Sequence, residues 1–337
     1  MMKILMFTVR DDEELAISEW AAQNGVQVDI NQIELTVDTV HLLKDYDGVV
    51  IQQRTKVDDP AIFAALKEYG IRQISTRTAG YDMIDIDLAA LNGLAVTNVP
   101  AYSPNSVAEL AVTQTMRLIR NLPLFEQREA QQDFRWSGLM AREIRSLTVG
   151  VIGAGRIGGT VARLFKGLGA NVIAHDIVLR DDLKDVLTYA TKEELLKKAD
   201  VVTLHVPLMD STVSLIDETA LALMKPDAFL INASRGPVVD VDALIRALQN
   251  KQIAGAALDT LPGEEKFFNV DLRGKELPSE ALKTLRAMPN VLITPHVGFY
   301  TNLAVKNMVE ISLNDVMAVL KTGKSEHQVN QVPAAEI

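Results

Sequence analysis

The chain has 337 residues, more than one compact core of ordinary size supports, so two domains are expected. Its 34 Lys and Arg against 44 Asp and Glu give a formal net charge of −10 without a basic cluster, which argues against a nucleic-acid partner. There is no Cys, which excludes disulfides, thiolate catalysis and Cys-ligated metal sites, and no metal site is expected.

The N-terminal segment MMKILMFTV is apolar, and charged residues from Arg10 to Glu14 follow it at once. The apolar run is too short for a signal-peptide core or for a membrane span. It predicts a buried first strand, and we expect a cytoplasmic protein with no membrane partner.

Short strands rich in Val, Ile and Leu alternate with amphipathic helices along the whole chain. The first series of predicted strands is Lys3–Val9, Val26–Ile30, Gly48–Gln52, Ile71–Thr76 and Ala95–Asn98. The second series is Leu147–Ile152, Asn171–His175, Val201–Val206, Ala228–Asn232, Ile253–Leu258 and Val291–Thr294. This alternation is typical of parallel sheets with helices on both faces. The predicted fold class is therefore α/β.

Between the two series, one long helix is predicted from about Pro104 to Arg128, because Ser103 followed by Pro104 is a favourable helix start. A last helix is predicted from Thr301 to Leu320. No Ser- and Gly-rich linker occurs, so ordered segments should join the domains in the manner of a hinge.

A glycine-rich motif indicates a dinucleotide site. The predicted strand ending at Ile152 runs into Gly153-Ala-Gly155-Arg-Ile-Gly158, and a predicted helix follows. In this motif the first glycine permits a tight turn, the second lets a pyrophosphate approach the backbone, and the third lets helix and strand pack closely. Asp176, about 20 residues beyond the glycines, suits ribose hydroxyls and repels a 2′-phosphate. The alternative is a plain glycine turn beside a surface Asp, but strand, helix and Asp together favour NAD.

Candidate catalytic groups follow three of the predicted strands: Arg235, Glu264 and His296. Reduction of a 2-keto acid needs a positive charge for the carboxylate, a proton donor for the keto oxygen and a partner for that donor; Arg, His and Glu supply these. Taken alone, each residue would more often be structural, but together at strand ends they indicate an active site. Of the other His residues, His41 and His327 are expected to be solvated.

Several segments together identify a family resemblance. They are Gly153-Ala-Gly-Arg-Ile-Gly, Leu204-His-Val-Pro, Asn232-Ala-Ser-Arg-Gly-Pro, Thr294-Pro-His-Val-Gly and Asn98-Val-Pro-Ala-Tyr-Ser-Pro. In order and spacing they resemble the D-isomer-specific 2-hydroxyacid dehydrogenases, most closely the D-lactate dehydrogenase branch. The resemblance covers nearly the whole chain. It implies NAD-dependent reduction of a 2-keto acid, pyruvate or a larger analogue, to the D-2-hydroxy acid.

The resemblance also implies roles for individual residues. Arg235 would pair with the substrate, His296 would be the acid/base, and Glu264 would hydrogen-bond to His296. The substrate would further contact Ala79 and Gly80 through their N–H groups, and Tyr102, Ile51 and Phe299 through their side chains. The cofactor would contact Gly153, Gly155, Arg156, Ile157, Gly158, Asp176, His205, Val206, Pro207, Ala233 and Asp259.

The domain organisation that the resemblance implies is interrupted. Residues 1–101 and 300–337 would form the substrate domain, and residues 102–299 the NAD-binding Rossmann-like domain. Both would be doubly wound, with the active site in the cleft between them, and the long helix from Pro104 would help to form a homodimer.

Two departures from the family pattern leave questions open. Glu264 keeps the family spacing from Asp259, but Glu265 is adjacent to it. Many D-lactate enzymes place a Tyr near Ile51, so an aliphatic residue there predicts a wider substrate range, unless Ile51 simply belongs to a buried strand. A phosphoglycerate or formate dehydrogenase fits the residues less well. An NAD(H)-binding regulator without turnover is the alternative from another functional class.

Overall fold

The computed structural model describes residues 2–332, and the chain divides into two units. Among the described residues, unit 1 consists of residues 2–103 and 300–332, and unit 2 of Pro104–Phe299. Along the described part of the chain, no helix is both long and apolar enough to cross a membrane.

Unit 1 is built around a five-stranded parallel sheet with the strand order β2-β1-β3-β4-β5. The strands are β1 (Lys3–Met6), β2 (Gln27–Ile30), β3 (Gly48–Ile51), β4 (Gln73–Thr76) and β5 (Ala95–Thr97). The helices are α1 (Glu14–Asn24), α2 (Pro60–Glu68), α3 (Ile86–Leu91) and, at the end of the chain, α11 (Asn302–Thr322).

Successive side chains of the unit 1 strands pack into two different cores. In β1, Ile4 and Met6 join α1 and α11 on one face, whereas Leu5 packs with α2 on the other. Because side chains alternate across a strand, a sheet covered on both faces needs apolar residues at every position. The near-continuous apolar strands of the sequence have this physical origin.

Unit 2 contains a seven-stranded parallel sheet with the order β12-β11-β10-β9-β6-β7-β8. The strands are β6 (Thr148–Ile152), β7 (Asn171–His175), β8 (Thr188–Tyr189), β9 (Val201–Leu204), β10 (Phe229–Asn232), β11 (Gly255–Leu258) and β12 (Val291–Ile293). The helices are α4 (Pro104–Ile119), α5 (Leu122–Glu129), α6 (Arg156–Gly167), α7 (Lys192–Lys198), α8 (Glu218–Leu223), α9 (Val241–Gln249) and α10 (Glu280–Arg286).

The sheet of unit 2 also carries a separate core on each face. Helices α4 and α6 cover one face, and α7 to α10 supply the core of the other. The strand order reverses between β6 and β9, because the chain runs outwards to β8 and then returns to the other side of β6. Ligands of open α/β sheets bind at such a switch point, beyond the carboxyl ends of the strands.

The structure confirms the prediction of two parallel-sheet α/β units, with two corrections to the elements. The single helix predicted from Pro104 to Arg128 is wrong: α4 ends at Ile119, Asn121 adopts φ 54°, and α5 starts beyond it with a Pro in its first turn. A left-handed residue breaks the helical path, and Pro can start a helix but not continue one. The two-residue strand β8 was not predicted, since so short a segment has no measurable periodicity.

Candidate active site

The strands of unit 2 end in register, and this alignment gathers residues that are far apart in sequence. Ile293 pairs with Leu258, Leu258 with Asn232, and Asn232 with Leu204. The row continues from Leu204 through Ile152 to His175. The segments that follow these six residues carry, in order across the sheet, His296, Asp259, Arg235, His205, Gly153 and Asp176. The predicted residues of unit 2 therefore lie along one edge of the sheet.

Each glycine of the motif after β6 meets a different steric requirement. Gly153 has φ +88°, and a Cβ there would lie 2.6 Å from the carbonyl oxygen of His205. A Cβ on Gly158 would run into the carbonyl of Gly153, whereas one on Gly155 would meet nothing within 4 Å. The first and third glycines are thus required by packing. The second leaves open space beside the N-terminus of α6, which suits an approaching diphosphate.

Asp176 is held against the glycine loop. Its carboxylate accepts hydrogen bonds from the N–H of Ala154 at 2.5 Å and of Val178 at 2.9 Å. A carboxylate has about four acceptor positions, so two remain for ribose hydroxyls. Arg180 also contacts this loop, donating to the carbonyl of Gly155 at 2.7 Å. Sequence reasoning missed Arg180, because no motif marks it.

The loop after β9 lies beside the glycine loop and carries a neutral histidine. The His205 ring is within 2.8 Å of Thr203 Oγ1 through Nε2, while Nδ1 is buried and has no partner among residues 2–332. Burial lowers the pKa of His205 to about 3. A ring that stays unprotonated near neutral pH cannot serve as the proton donor. Val206 is half-buried beside Gly153, and Pro207 is exposed.

His296 and Glu264 form a close pair. Nδ1 of His296 lies 2.5 Å from Oε1 of Glu264, whose Oε2 accepts a hydrogen bond from the N–H of Leu261 at 2.9 Å. Glu265, the alternative partner, is exposed. Since Nδ1 faces the carboxylate, Nε2 is the ring nitrogen that remains to exchange a proton with a ligand. His296 has φ 54°, a left-handed conformation that is uncommon for a residue with a side chain.

Asp259 fixes the backbone around His296. Its carboxylate accepts hydrogen bonds from Thr294 Oγ1 (2.6 Å) and from the N–H groups of Val297 (2.9 Å) and Gly298 (2.8 Å). Its carbonyl oxygen accepts the N–H of His296 at 2.8 Å. Asp259 is 4% exposed. A cofactor contact was predicted for Asp259, but this anchoring role was not; Thr294 and Gly298, on either side of His296, supply two of its donors.

Arg235 lies on a loop that is held by hydrogen bonds to the Asn232 side chain. The Asn232 side chain donates to the carbonyl of Arg235 at 3.0 Å and accepts from the N–H and hydroxyl of Ser234. The Arg235 side chain is half-buried and donates to the carbonyl of Ser234 at 2.9 Å. A Cβ on Gly236 would collide with the backbone of Leu261, so the Arg235 loop packs directly against the segment that holds Glu264.

The remaining cofactor and substrate candidates of unit 2 lie close to these loops. Ala233 is half-buried and precedes Ser234, while Ile157 packs into the core beneath α6, next to the exposed Arg156. The Phe299 ring meets the His296 ring edge-on, with centroids 6.4 Å apart.

The candidates of unit 1 follow its own strand ends. Ala79 and Gly80 lie in the loop after β4 and are half-buried. The carbonyl of the half-buried Tyr102 accepts a hydrogen bond from Asn307 Nδ2 at 2.6 Å. Ile51 pairs with Thr76 at the end of β3 and is 0% exposed, within the core that includes α2.

One expectation about histidines is wrong. His327 is not fully solvated: its Nδ1 lies 3.0 Å from Oδ1 of Asp315, which is 4% exposed and also accepts from Ser325 Oγ at 2.6 Å. Burial raises the pKa of Asp315, while Ser325 and His327 oppose that shift. His41 is exposed as expected.

Comparisons with known proteins identify the family of this chain. Residues 112–298 match the family model of the NAD-binding domain of D-isomer-specific 2-hydroxyacid dehydrogenases. A D-2-hydroxyacid dehydrogenase (NAD(+)) of Clostridioides difficile is 47% identical over 98% of this chain and 100% of its own. A solved D-lactate dehydrogenase from Sporolactobacillus sp. is 75% identical, with TM-score 0.86 and coverage of 98% and 100%.

A further solved structure contains the cofactor. It is the NAD complex of a D-isomer-specific 2-hydroxyacid dehydrogenase from Lactobacillus delbrueckii ssp. bulgaricus, 42% identical with TM-score 0.87, covering 98% of this chain and 100% of that one. The chain therefore belongs to the D-isomer-specific 2-hydroxyacid dehydrogenases, in their D-lactate dehydrogenase-like branch, and is an NAD-dependent enzyme of that kind.

Proposed function

We propose that the enzyme reduces a 2-keto acid to the D-2-hydroxy acid with His296 as the general acid, and that pyruvate is among its substrates. The observation that carries this proposal is the 2.5 Å contact between His296 Nδ1 and Glu264. The carboxylate fixes the ring orientation and balances a positive charge on it, so that Nε2 presents the proton. In the reverse direction the same nitrogen accepts the proton from the hydroxy acid.

Arg235 binds the substrate in this proposal. Its planar guanidinium suits a carboxylate and stabilises the negative charge that develops on the keto oxygen. The N–H groups of Ala79 and Gly80 and the hydroxyl of Tyr102 complete the carboxylate site. Unit 1 is thus the substrate domain and unit 2 the cofactor domain.

The cofactor site would use the edge of unit 2 that follows the strand ends. The open space at Gly155 receives the diphosphate, Asp176 accepts the ribose hydroxyls, and the neutral His205 lines the pocket. NADH, when bound, supplies the hydride that C2 of the substrate accepts. Asp259 contributes by holding the His296 loop.

Turnover measurements test the catalytic assignment. NADH oxidation is followed with pyruvate, 2-ketobutyrate, 2-ketoisocaproate, phenylpyruvate and oxaloacetate for the wild type, His296→Ala and Arg235→Lys. Both variants should lose at least about 100-fold in kcat/KM. His296→Ala removes the general acid, and Arg235→Lys removes the guanidinium that can hold a carboxylate by two hydrogen bonds. The exposed His41 and Arg246 provide the matched controls His41→Ala and Arg246→Lys, which should act like the wild type. NADH binding without any turnover would point instead to a cofactor-sensing protein.

Substrate size is a separate part of the proposal. An aliphatic residue at the end of β3 favours acceptance of side chains larger than that of pyruvate. Ile51→Val tests this point: if Ile51 borders the substrate, the ratio of kcat/KM for phenylpyruvate to that for pyruvate changes, by an amount that corresponds to about 1 kcal/mol per methylene. If Ile51 only fills the core of unit 1, kcat/KM for phenylpyruvate and kcat/KM for pyruvate change by the same factor.

The quaternary structure we propose is a homodimer formed through unit 2. Phe134, Trp136 and Met140 follow α5 and are 73%, 82% and 94% exposed. Three largely exposed apolar side chains in one short segment favour an interaction surface there. Sedimentation should give twice the chain mass, and Trp136→Ser with Met140→Ser should shift the equilibrium towards the monomer. We place the enzyme in the cytoplasm, where NADH is available; fractionation of the producing cells checks this location.

A further inference from the structure

In the loop that follows β4, the carbonyl groups of three consecutive residues, Thr78 to Gly80, all accept hydrogen bonds. We call Thr78–Gly80 the carboxylate loop. The Thr78 carbonyl accepts the N–H of Val99 at 2.9 Å, the Ala79 carbonyl accepts Nδ2 of Asn98 at 2.6 Å, and the Gly80 carbonyl accepts the Thr78 hydroxyl at 2.6 Å. Three acceptors in succession are thus fixed by donors of unit 1.

This pattern determines where the N–H groups point. In a trans peptide, the C=O of one residue and the N–H of the next lie in one plane and point in opposite directions. The Thr78 carbonyl therefore sets the direction of the Ala79 N–H, and the Ala79 carbonyl sets that of the Gly80 N–H. Neither N–H has a hydrogen-bond partner among residues 2–332. Two half-buried donors are left for a ligand.

Asn98 is itself well held. It is 7% exposed, and its backbone N–H donates to the carbonyl of His327 at 3.2 Å. The Ala79 carbonyl can only accept, so the Asn98 amide must face it with its NH2 group. The Ala79 N–H is oriented by a backbone hydrogen bond, from Val99 to the Thr78 carbonyl. The Gly80 N–H is oriented by a side chain, that of Asn98, which donates to the Ala79 carbonyl.

We propose that Asn98 is a positioning residue that aims the Gly80 N–H at the substrate carboxylate. The inference rests on the proposed function, in which this N–H binds that carboxylate. Asn98 does not touch the substrate and acts only through the Ala79–Gly80 peptide. Its loss should therefore weaken carboxylate binding and leave cofactor binding and proton transfer largely intact.

The test compares Asn98→Ala with Asn92→Ala. Asn92, at the C-terminal end of α3, also donates Nδ2 to a backbone carbonyl of unit 1, but to that of Leu88 at 2.8 Å, which is not part of the carboxylate loop. For Asn98→Ala, KM for pyruvate should rise about 10-fold, the equivalent of one hydrogen bond to a charged group, and kcat should change much less. The Kd for NADH, from fluorescence titration, should stay at the wild-type value. The preference for pyruvate over its amide, pyruvamide, should fall.

The outcomes separate a positioning role from a merely structural one. Loss of folded protein lowers kcat without moving KM, so unchanged KM values in Asn98→Ala overturn the inference, as does an equal KM shift in Asn92→Ala. Should Asn98→Ala melt too low to assay, Asn98→Asp keeps the side-chain shape but places an acceptor against the Ala79 carbonyl, and it must show the same rise in KM. Wild-type enzyme that reduces none of the 2-keto acids overturns the proposed function, and this inference with it; normal turnover with normal KM in Asn98→Ala overturns the inference alone.

Discussion

Arg77 and Glu13 form an ion pair inside unit 1, and replacing Arg77 with Met should destabilise that unit strongly. Both side chains are 0% exposed, with Arg77 Nε 2.9 Å from Glu13 Oε1. The guanidinium also donates to the carbonyls of Phe7 at 3.0 Å and Thr8 at 2.8 Å. Burial lowers the pKa of Arg77, and Glu13 opposes that shift. The pair thus holds the segment after β1 to the end of β4.

The magnitude follows from what Arg77→Met leaves behind. Breaking a buried ion pair costs about 3–5 kcal/mol, because the remaining charge is unpaired. In Arg77→Met, Glu13 would still accept a hydrogen bond from the N–H of Arg10 at 2.9 Å and pair with the Arg10 guanidinium at 3.3 Å. The expected loss of unfolding free energy is therefore near the lower limit, about 3 kcal/mol. Adding Glu13→Gln removes the buried negative charge that Arg77 no longer balances. The double variant should therefore recover at least about 1 kcal/mol of unfolding free energy.

The two Trp residues make the assay specific for unit 1. Trp20 is 4% exposed in α1, whereas Trp136 of unit 2 is 82% exposed. In a Trp136→Phe background, the fluorescence of Trp20 during urea unfolding reports on unit 1 alone. Arg72→Met is the control. Within residues 2–332 that exposed side chain makes one hydrogen bond, to the carbonyl of Leu320, and its loss should cost less than about 1 kcal/mol. An equal loss for Arg72→Met and Arg77→Met would refute the reasoning.

Three further predictions concern unit 2. Gly155→Ala should leave the melting temperature unchanged, because its Cβ meets no protein atom, but it should weaken NADH binding, because that Cβ fills the space proposed for the diphosphate. Gly158→Ala should lower the melting temperature, since its Cβ would strike the Gly153 carbonyl. Thermal melts and NADH titrations that fail to separate the two variants would contradict this. Burial lowers the pKa of His205 from 6.5 to about 3, so between these pH values the unfolded chain protonates His205 and the folded protein does not. The free energy of unfolding should therefore fall as the pH drops from 6.5 towards 3. Urea midpoints of His205→Gln should fall less steeply with pH, and equal slopes would count against a neutral His205. Asp259→Asn should reduce kcat by up to about 100-fold, because it loses one acceptor that positions the His296 loop, and should change the Kd for NADH little. A raised Kd with normal kcat would assign Asp259 to the cofactor instead.

The sequence predicts the fold well because its main signal, apolar runs separated by helical periodicity, reflects burial on both faces of a sheet. All eleven predicted strands overlap observed ones, although several are shorter: the first ends at Met6 rather than at Val9. The helix break at Asn121 was not predicted, because both α4 and α5 have helical periodicity and only a backbone angle separates them. Local conformation at one residue is weakly encoded by composition.

Within the site, the resemblance predicted the pairing of Glu264 with His296, whereas partners that no motif marks were not predictable. The motif spacing singles out His296 and Glu264, yet only the three-dimensional structure shows that Glu264, and not Glu265, faces the ring. The Arg77–Glu13 pair gave no sequence signal, since its members are 64 residues apart and charged residues are usually exposed. Side-chain partners depend on register between distant strands, which a single sequence does not display.

The contacts around His296 connect it to the loop that carries Arg235. Gly236, next to Arg235, packs against the backbone of Leu261, and the N–H of Leu261 donates to Glu264, which contacts the His296 ring. The proposed carboxylate-binding group and the proposed acid are thus joined through one backbone segment, in which Gly236 leaves no space for a side chain. Because packed loops shift together, a displacement of the Arg235 loop should be transmitted to the acid. This coupling gives a physical reason for a glycine beside Arg235, apart from any requirement of its backbone angles.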